Sequence, residues 1–325
     1  MNGTKGKRDK AMTPRDRHDT AVALCCDRNY FHLALFTIRQ IAFHSPRRSF
    51  DFVIASHDDL QLPEWAGQLG VVIHRLGSLP EAAEVGRYRG SVAPLYRLML
   101  ARALGERYRR ILYMDCDMFV EGGDFNRLLN LDIGPHPIAA VLDSPFMYTA
   151  NFRAKEYALL GKPAAPYANT GLQLIDTKAY CDQEVERRSF DVCTTHPEAI
   201  IYTDQSLTNI ALNGKFAQLA PCWNWQCNAR LPLVTVRYPV FVRHFIGAKK
   251  PDRDTNGLLD VRFNQAYREF LSQLMPELLA KLAPPPDPAP ISLKQASFIA
   301  LKHFLARKVA ADVLKRHPDP YTAIT

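Results

Sequence analysis

The stretch Arg110-Ile-Leu-Tyr-Met-Asp115-Cys-Asp117-Met-Phe-Val120 decides the reading of this chain, because an apolar run of strand length ends in two carboxylates one residue apart. In open α/β sheets, ligands gather beyond the carboxyl ends of the strands. A Mg²⁺ or Mn²⁺ ion held there by one or two carboxylates keeps its other positions for water and substrate phosphates. Two acids after a strand are also what an ordinary solvated turn offers, so the surrounding sequence has to choose between the two readings.

Upstream of this stretch, Thr20-Ala-Val-Ala-Leu-Cys-Cys26 reads as a short strand buried on both faces. A helical pattern follows through Phe31, Leu35, Ile38 and Ala42. Next come a strand at Phe50–Ala55, a helix opening near Asp58 and a strand at Val71–Arg75. This βαβαβ order marks the start of a doubly wound α/β sheet with helices on both faces. A polar loop, Ser78–Ser91, leads to a helix from Pro94 through Leu104, which feeds the aspartate-bearing strand. Downstream strands are expected at Ile138–Leu142, Gly171–Asp176 and Val240–Phe245, making the sheet mixed. Helices are expected at Arg153–Leu160, Asp182–Thr194, Asp204–Leu212 and Val261–Leu282.

The chain has 325 residues and 47% hydrophobic content, enough for one large domain with appendages. Residues 1–19 read as a disordered basic lead, and 20–282 as the α/β domain. Residues 283–290, Ala-Pro-Pro-Pro-Asp-Pro-Ala-Pro, form a stiff linker that cannot be helical. Residues 291–325 form a tail whose Leu293, Phe298, Leu301, Leu305, Val309 and Val313 lie among lysines and arginines. Such a basic amphipathic helix suits an anionic membrane surface, or else docks on its own domain or a partner. As a separate piece, it is expected to be dispensable for activity on a soluble substrate.

The net charge of +8 is concentrated at Lys5–Arg17 and Lys294–Arg316, and the body carries no nucleic-acid-binding signature, so nucleic acid is not an expected partner. Seven cysteines without paired metal-ligand spacing suggest reduced thiols and a cytoplasmic setting. No signal-peptide core is visible, and no run reaches the ~18 apolar residues of a membrane span. Oligomeric state is not legible.

Several motifs in fixed order resemble glycosyltransferase family 8 over about Ala21–Asp254. These are retaining enzymes of GT-A fold that include bacterial lipopolysaccharide glucosyl- and galactosyltransferases. The resemblance implies that Asp27 and Asn29 of Cys26-Asp-Arg-Asn-Tyr30 bind uracil, with Tyr30 stacked nearby; a helix cap is the alternative. Tyr96-Arg97-Leu98 is similar to the family's Y-x-R-L segment, whose arginine faces the donor phosphates or sugar. Asp115-Cys-Asp117 matches its D-x-D, where both carboxylates bind Mn²⁺, with Mg²⁺ as the alternative. His244-Phe-Ile-Gly247-Ala-Lys-Lys250-Pro251 resembles its H-x-x-G-x-x-K-P. There His244 is the third ligand, Gly247 admits the phosphates and Lys250 pairs with them. The family's Trp after this proline is Asp252 here.

Tyr167-Ala-Asn169-Thr-Gly171 and Asp204-Gln205 are similar to segments that line the donor sugar. Asn169, Asp204 and Gln205 are the implied catalytic group, supporting an oxocarbenium-like transition state. Asp204 as a helix N-cap is the plain alternative. Asp143 and the Trp223-Asn-Trp225 segment fall where acceptor groups are expected, although core packing also suits the tryptophans. The resemblance implies a Mn²⁺-dependent retaining transfer of glucose or galactose from a UDP-sugar to a saccharide or lipid-linked saccharide of a cell-surface glycan. A non-catalytic nucleotide-sugar-binding protein and a metal-dependent nucleotide-sugar hydrolase are the competing classes.

Overall fold

The computed structural model describes residues 18–80, 93–227, 238–247, 250–251, 259–282, 284 and 292–325. The basic lead up to residue 17, most of the Ser78–Ser91 loop, Lys249, Asp252 and all of the proline-rich linker but Pro284 lie outside the described residues.

In chain order, β1 (Thr20–Cys25), α1 (Phe31–His44), β2 (Asp51–Ser56), α2 (Glu64–Gln68) and β3 (Val71–Arg75) form the opening βαβαβ unit. A 3₁₀ stretch, Ala93–Met99, runs into α3 (Leu100–Leu104), and β4 (Arg110–Met114) and β5 (Met118–Val120) flank the two aspartates. Then follow α4 (Phe125–Leu129), β6 (Ile138–Leu142), α5 (Lys155–Leu159), β7 (Ala168–Asp176), α6 (Thr177–Asp182), α7 (Val185–Thr195) and α8 (Thr203–Leu212). The chain ends with β8 (Ala217–Gln218), β9 (Trp225–Gln226), β10 (Val242–His244), α9 (Val261–Leu274), α10 (Pro276–Leu279) and α11 (Leu293–Lys315).

Seven strands make a mixed sheet in the order β3-β2-β1-β4-β7-β6-β8. The β3-β2-β1-β4 half is parallel, whereas β7 runs antiparallel to both β4 and β6. Successive strand residues point to opposite faces, and the core divides accordingly. Val22, Leu24, Phe52, Ile54, Leu112 and Met114 join one cluster with α1 and α9. Ala21, Ala23, Val53, Ala55, Ile111 and Tyr113 join the other with α3, α7 and α8. Burial on both faces is why β1 and β4 read as continuous apolar runs.

Two pairings build the site. Because β7 is antiparallel to β4, with Met114 opposite Leu172, the beginning of β7 lies beside the end of β4; the N–H of Asp115 donates to the Gly171 carbonyl at 2.8 Å. In a small second sheet, β5-β10-β9, β10 runs antiparallel to β5 with His244 opposite Met118, one residue past Asp117.

Several expected helices differ in their bounds. The helix expected near Asp58 begins at Glu64, since the Asp58 carboxylate instead accepts from the Arg28 N–H at 2.8 Å. The expected Asp182–Thr194 helix is two, α6 capped by Asp176 and α7, separated where Glu184 adopts a left-handed φ of 50°. Pro276, which cannot donate an N–H, breaks the expected Val261–Leu282 helix into α9 and α10.

Helix α11 starts with a capping box between Ser292 and Gln295. It has two apolar faces. Ala306, Ala310 and Val313 are buried, and the helix packs on the Ser144–Met147 turn, while Leu293, Phe298, Leu301, Phe304 and Leu305 stay exposed. Beyond it the chain is tied to the domain. Trp223 Nε1 donates to the Pro320 carbonyl at 2.8 Å, the Asp124 N–H donates to the Tyr321 hydroxyl at 2.8 Å, and Ile324 bridges to Gln218. No helix among the described residues is long and apolar enough to cross a membrane.

Candidate metal and nucleotide-sugar site

Asp115, Asp117 and His244 offer one ligand atom each, all within 4.8 Å of one another. His244 Nε2 stands 3.6 Å from Asp115 Oδ2 and 3.6 Å from Asp117 Oδ1, beyond hydrogen-bond reach of either. Asp117 Oδ1 is buried and no hydrogen bond among the described residues reaches it. A buried carboxylate oxygen facing a ring nitrogen across such a gap is costly unless a cation completes it. The three side chains therefore fit a divalent ion of the kind that accepts oxygen and imidazole ligands.

The electrostatics favour ligation. Burial lowers the His244 pKa against the pull of Asp117 and Asp115, so the ring is neutral and keeps a lone pair to give. Burial alone would raise Asp117, but the Lys250 ammonium outweighs it and holds the carboxyl below its usual value. Lys250 Nζ pairs with Asp117 Oδ2 and also donates to the Phe245 carbonyl.

Space is set by Gly171. A Cβ there would lie 2.4 Å from His244 Cε1 and 2.9 Å from Asp115 Oδ2, so only glycine lets the ring and the carboxylate meet over β7. Gly247 serves differently: its φ of +78° is left-handed, and nothing stands within 4 Å of an added Cβ. Its need is conformational.

Arg97 lies between two carboxylates. One guanidinium nitrogen is 2.8 Å from Asp115 Oδ1; the other is 3.3 Å from Asp204 Oδ2 and donates to the Thr170 carbonyl at 3.0 Å. Tyr113 supports the same group from below, its ring 4.6 Å from the guanidinium and its hydroxyl donating to Asp115 Oδ1 at 2.5 Å. Asp204 is not the N-cap of α8, a position held by Tyr202. Its carboxylate accepts from the Thr170 hydroxyl at 2.8 Å, and burial pushes its pKa up to about 6 against the pull of Arg97. The preceding Thr203 has φ 46°, a strained conformation for a β-branched residue.

Asn169 and Gln205 sit beside this group. Gln205 Oε1 accepts the Thr170 N–H at 3.3 Å. Asn169 Nδ2 donates to Asp143 Oδ1 at 3.0 Å, and its Oδ1 accepts both the Gly171 N–H and Asn224 Nδ2. Burial raises the Asp143 pKa, opposed by Asn169. Asp27, Asn29 and Tyr30 form the loop after β1; Asp27 Oδ1 accepts the Tyr30 N–H at 3.0 Å, and Asn29 is exposed. No described hydrogen bond or ion pair joins Asp27 or Asn29 to the carboxylate cluster. Trp223 is fully buried among Phe125, Phe241 and Tyr321, whereas Trp225 borders a small cleft walled also by Leu142, Met147, Tyr148, Pro221 and Gln226. Sequence reasoning did not single out Tyr113, Thr170 or Asn224. Each left a signal: Tyr113 stands two residues before Asp115, and Thr170 and Asn224 lie inside the motifs Asn169-Thr-Gly171 and Trp223-Asn-Trp225.

The sequence matches the family model described as Glycosyl transferase family 8 over residues 21–256. The chain belongs to glycosyltransferase family 8. Its curated relatives include General stress protein A of Bacillus subtilis, 28% identical over 49% of this chain and 58% of that protein. Lipopolysaccharide 1,2-glucosyltransferase of Escherichia coli is 26% identical over 59% of this chain and 58% of that one. Lipopolysaccharide 1,3-galactosyltransferase of Salmonella typhimurium is 26% identical over 66% and 64%. The chain thus spans under two thirds of the length of these relatives. Among solved structures, the galactosyltransferase LgtC in complex with donor and acceptor sugar analogs superposes with a TM-score of 0.62 at 18% identity, covering 78% of this chain and 96% of that one. That likeness establishes the family's fold, the GT-A architecture expected from the motifs.

Proposed function

We propose that this family 8 protein is a retaining, Mn²⁺-dependent glycosyltransferase that moves glucose or galactose from a UDP-sugar to a saccharide acceptor of a cell-surface glycan. The observation that carries this reading is the convergence of Asp115, Asp117 and a neutral His244 at the carboxyl edge of the parallel strands, with one carboxylate oxygen left unpartnered. Bound there, the ion would neutralise the charge that develops on the diphosphate leaving group.

The protein's own residues divide the remaining work. Lys250 is placed to exchange Asp117 for a phosphate oxygen, and Gly247 lets the backbone approach it. Arg97, held between Asp115 and Asp204, presents a fixed positive charge below the donor. Asp204 thus acts through Arg97. Gln205 and Asn169, with Asp143, present amide and carboxylate groups toward the sugar and the transition state. Asp27, Asn29 and Tyr30 read the uracil ring, and the cleft beside Trp225 receives the acceptor.

Measuring UDP release from a set of UDP-sugars, with and without Mn²⁺ and with and without saccharide acceptors, tests the reading. Acceptor-dependent, Mn²⁺-dependent release that is lost in Asp117→Asn supports it. Release without glycoside formation would identify a hydrolase, and tight UDP binding without turnover a binding protein. Equal calorimetric affinities for UDP, ADP and GDP would remove the uridine assignment.

A cytoplasmic protein working on lipid-linked saccharides at an anionic membrane is the finer form of this proposal. Its support is the outward face of α11, where exposed Phe298, Leu301, Phe304 and Leu305 lie among Lys294, Lys302, Arg307 and Lys308. The helix docks beside the cleft, on the Ser144–Met147 turn. Each basic residue near such a surface contributes about 1 kcal/mol of salt-sensitive attraction. The intact protein should sediment with anionic vesicles at low salt, and Leu301→Glu/Leu305→Glu should not; no sedimentation of the intact protein refutes the assignment.

A further inference from the structure

Asn224 is absent from every role assigned above, yet it is the residue that touches the far side of the His244 ring. It is 1% exposed, in the 3₁₀ turn Pro221–Asn224 just before β9. Its Oδ1 lies 3.0 Å from His244 Nδ1, and its Nδ2 donates to Asn169 Oδ1 at 2.8 Å.

The direction of these bonds follows from groups whose chemistry has no freedom. The backbone N–H of Gly171 can only donate, and it donates to Asn169 at 3.2 Å, so the Asn169 atom it meets is the oxygen. The other end of that side chain is then the amide nitrogen, which faces the Asp143 carboxylate. With the Asn169 oxygen directed at Asn224, the Asn224 atom beside it must be nitrogen, and the Asn224 atom facing the imidazole must be oxygen. An amide oxygen only accepts. Nδ1 of the neutral ring therefore carries the proton, and Nε2 is left bare toward Asp115 and Asp117.

We infer that Asn224 is a positioning residue of the metal centre: through its oxygen it fixes His244 in the Nδ1–H tautomer and aims Nε2 at the ion. The inference rests on the metal reading of Asp115, Asp117 and His244. It adds that the beginning of β7 sets the third ligand's protonation pattern, through Gly171, Asn169 and Asn224 in series. A histidine ligand commonly donates its second N–H to such a partner, and removal of the partner costs about 10- to 100-fold in metal affinity.

The test uses the full chain, metal-free, in two measurements. In protein labelled with ¹⁵N-histidine, with the His244 signals assigned by their loss in His244→Gln, the ring should show a protonated Nδ1 and an unprotonated Nε2. A proton on Nε2 overturns the inference, with or without any metal binding. Manganese titrated without nucleotide, with free Mn²⁺ followed by electron paramagnetic resonance, is the second measurement. Asn224→Leu should bind about 10- to 100-fold more weakly than the natural protein. Asn224→Asp keeps the acceptor for Nδ1–H but loses the donor to Asn169, and should bind as tightly as the natural protein or more so.

A merely structural role would not be rescued by aspartate, because that change also breaks the bond to Asn169. Equal affinity of natural protein and Asn224→Leu, or equal losses in the leucine and aspartate variants, overturns the assignment. Failure of the natural protein to bind Mn²⁺ at all sinks the metal reading instead, and the ring spectrum still decides the tautomer.

Discussion

Replacing Gly171 by alanine should disable the metal centre without altering any of its ligands. Gly171 lies inside β7 and has no left-handed φ, so alanine meets no backbone penalty there. The penalty is contact. The added Cβ would sit 2.4 Å from His244 Cε1, 2.8 Å from Nδ1 and 2.9 Å from Asp115 Oδ2. Carbon atoms in contact settle at about 3.5–4.0 Å, so the ring must retreat by about 1 Å. Metal–ligand distances tolerate only about 0.2 Å, and the ring cannot retreat while keeping its bond to Asn224. Overpacking of this kind costs about 1–3 kcal/mol of stability, and a misplacement of about 1 Å in a positioned group costs on the order of 10²-fold in rate. The assays are Mn²⁺ titration, UDP release and thermal denaturation, with Gly67→Ala as control because no atom lies within 4 Å of its added Cβ. A Gly171→Ala protein that binds Mn²⁺, turns over and denatures like the natural one would refute the reasoning.

Two further outcomes follow from the same geometry. Asp204 has its pKa raised from 3.8 to about 6 by burial, so the folded state holds that proton more tightly than the unfolded one, and stability falls as pH rises from about 4 to about 6. At about 1.4 kcal/mol per unit this contribution is on the order of 3 kcal/mol; urea titrations should show the natural protein losing stability relative to Asp204→Asn across that window, and parallel pH curves would contradict it. Truncation after Ala289 removes the partners of Trp223 Nε1 and of the Asp124 N–H, so the denaturation midpoint should drop and activity on a soluble acceptor should fall with it. An unchanged midpoint would show the tail to be the separate piece that the proline-rich linker suggests.

Much of the frame is legible in the sequence because its signals are local. Strands buried on both faces must be apolar throughout, which is why Arg110–Met114 and Ile138–Leu142 agree with β4 and β6 residue for residue, and the edge strand β3 agrees at Val71–Arg75 through its β-branched run. The pair Asp115 and Asp117 is equally local, since a strand of apolar residues ending in acids needs no partner to be noticed. Helix ends were less legible. The break at Glu184 is a single left-handed residue with no glycine to mark it, and Pro276 interrupts an amphipathic pattern that continues on both of its sides.

The rest depended on contacts between distant segments, for which one sequence carries no record. His244 reaches Asp117 because a three-residue strand pairs antiparallel with another of three residues, both too short to show periodicity. Arg97 read as a donor-facing arginine, but its charge is shared between Asp115 and Asp204, which are far apart in the chain. The strand positions and the two acids that end β4 follow from local order alone, because alternation and burial act between neighbours along the chain. Why position 171 must be glycine, and which nitrogen of His244 faces the acids, follow instead from atoms meeting across four segments distant in the chain.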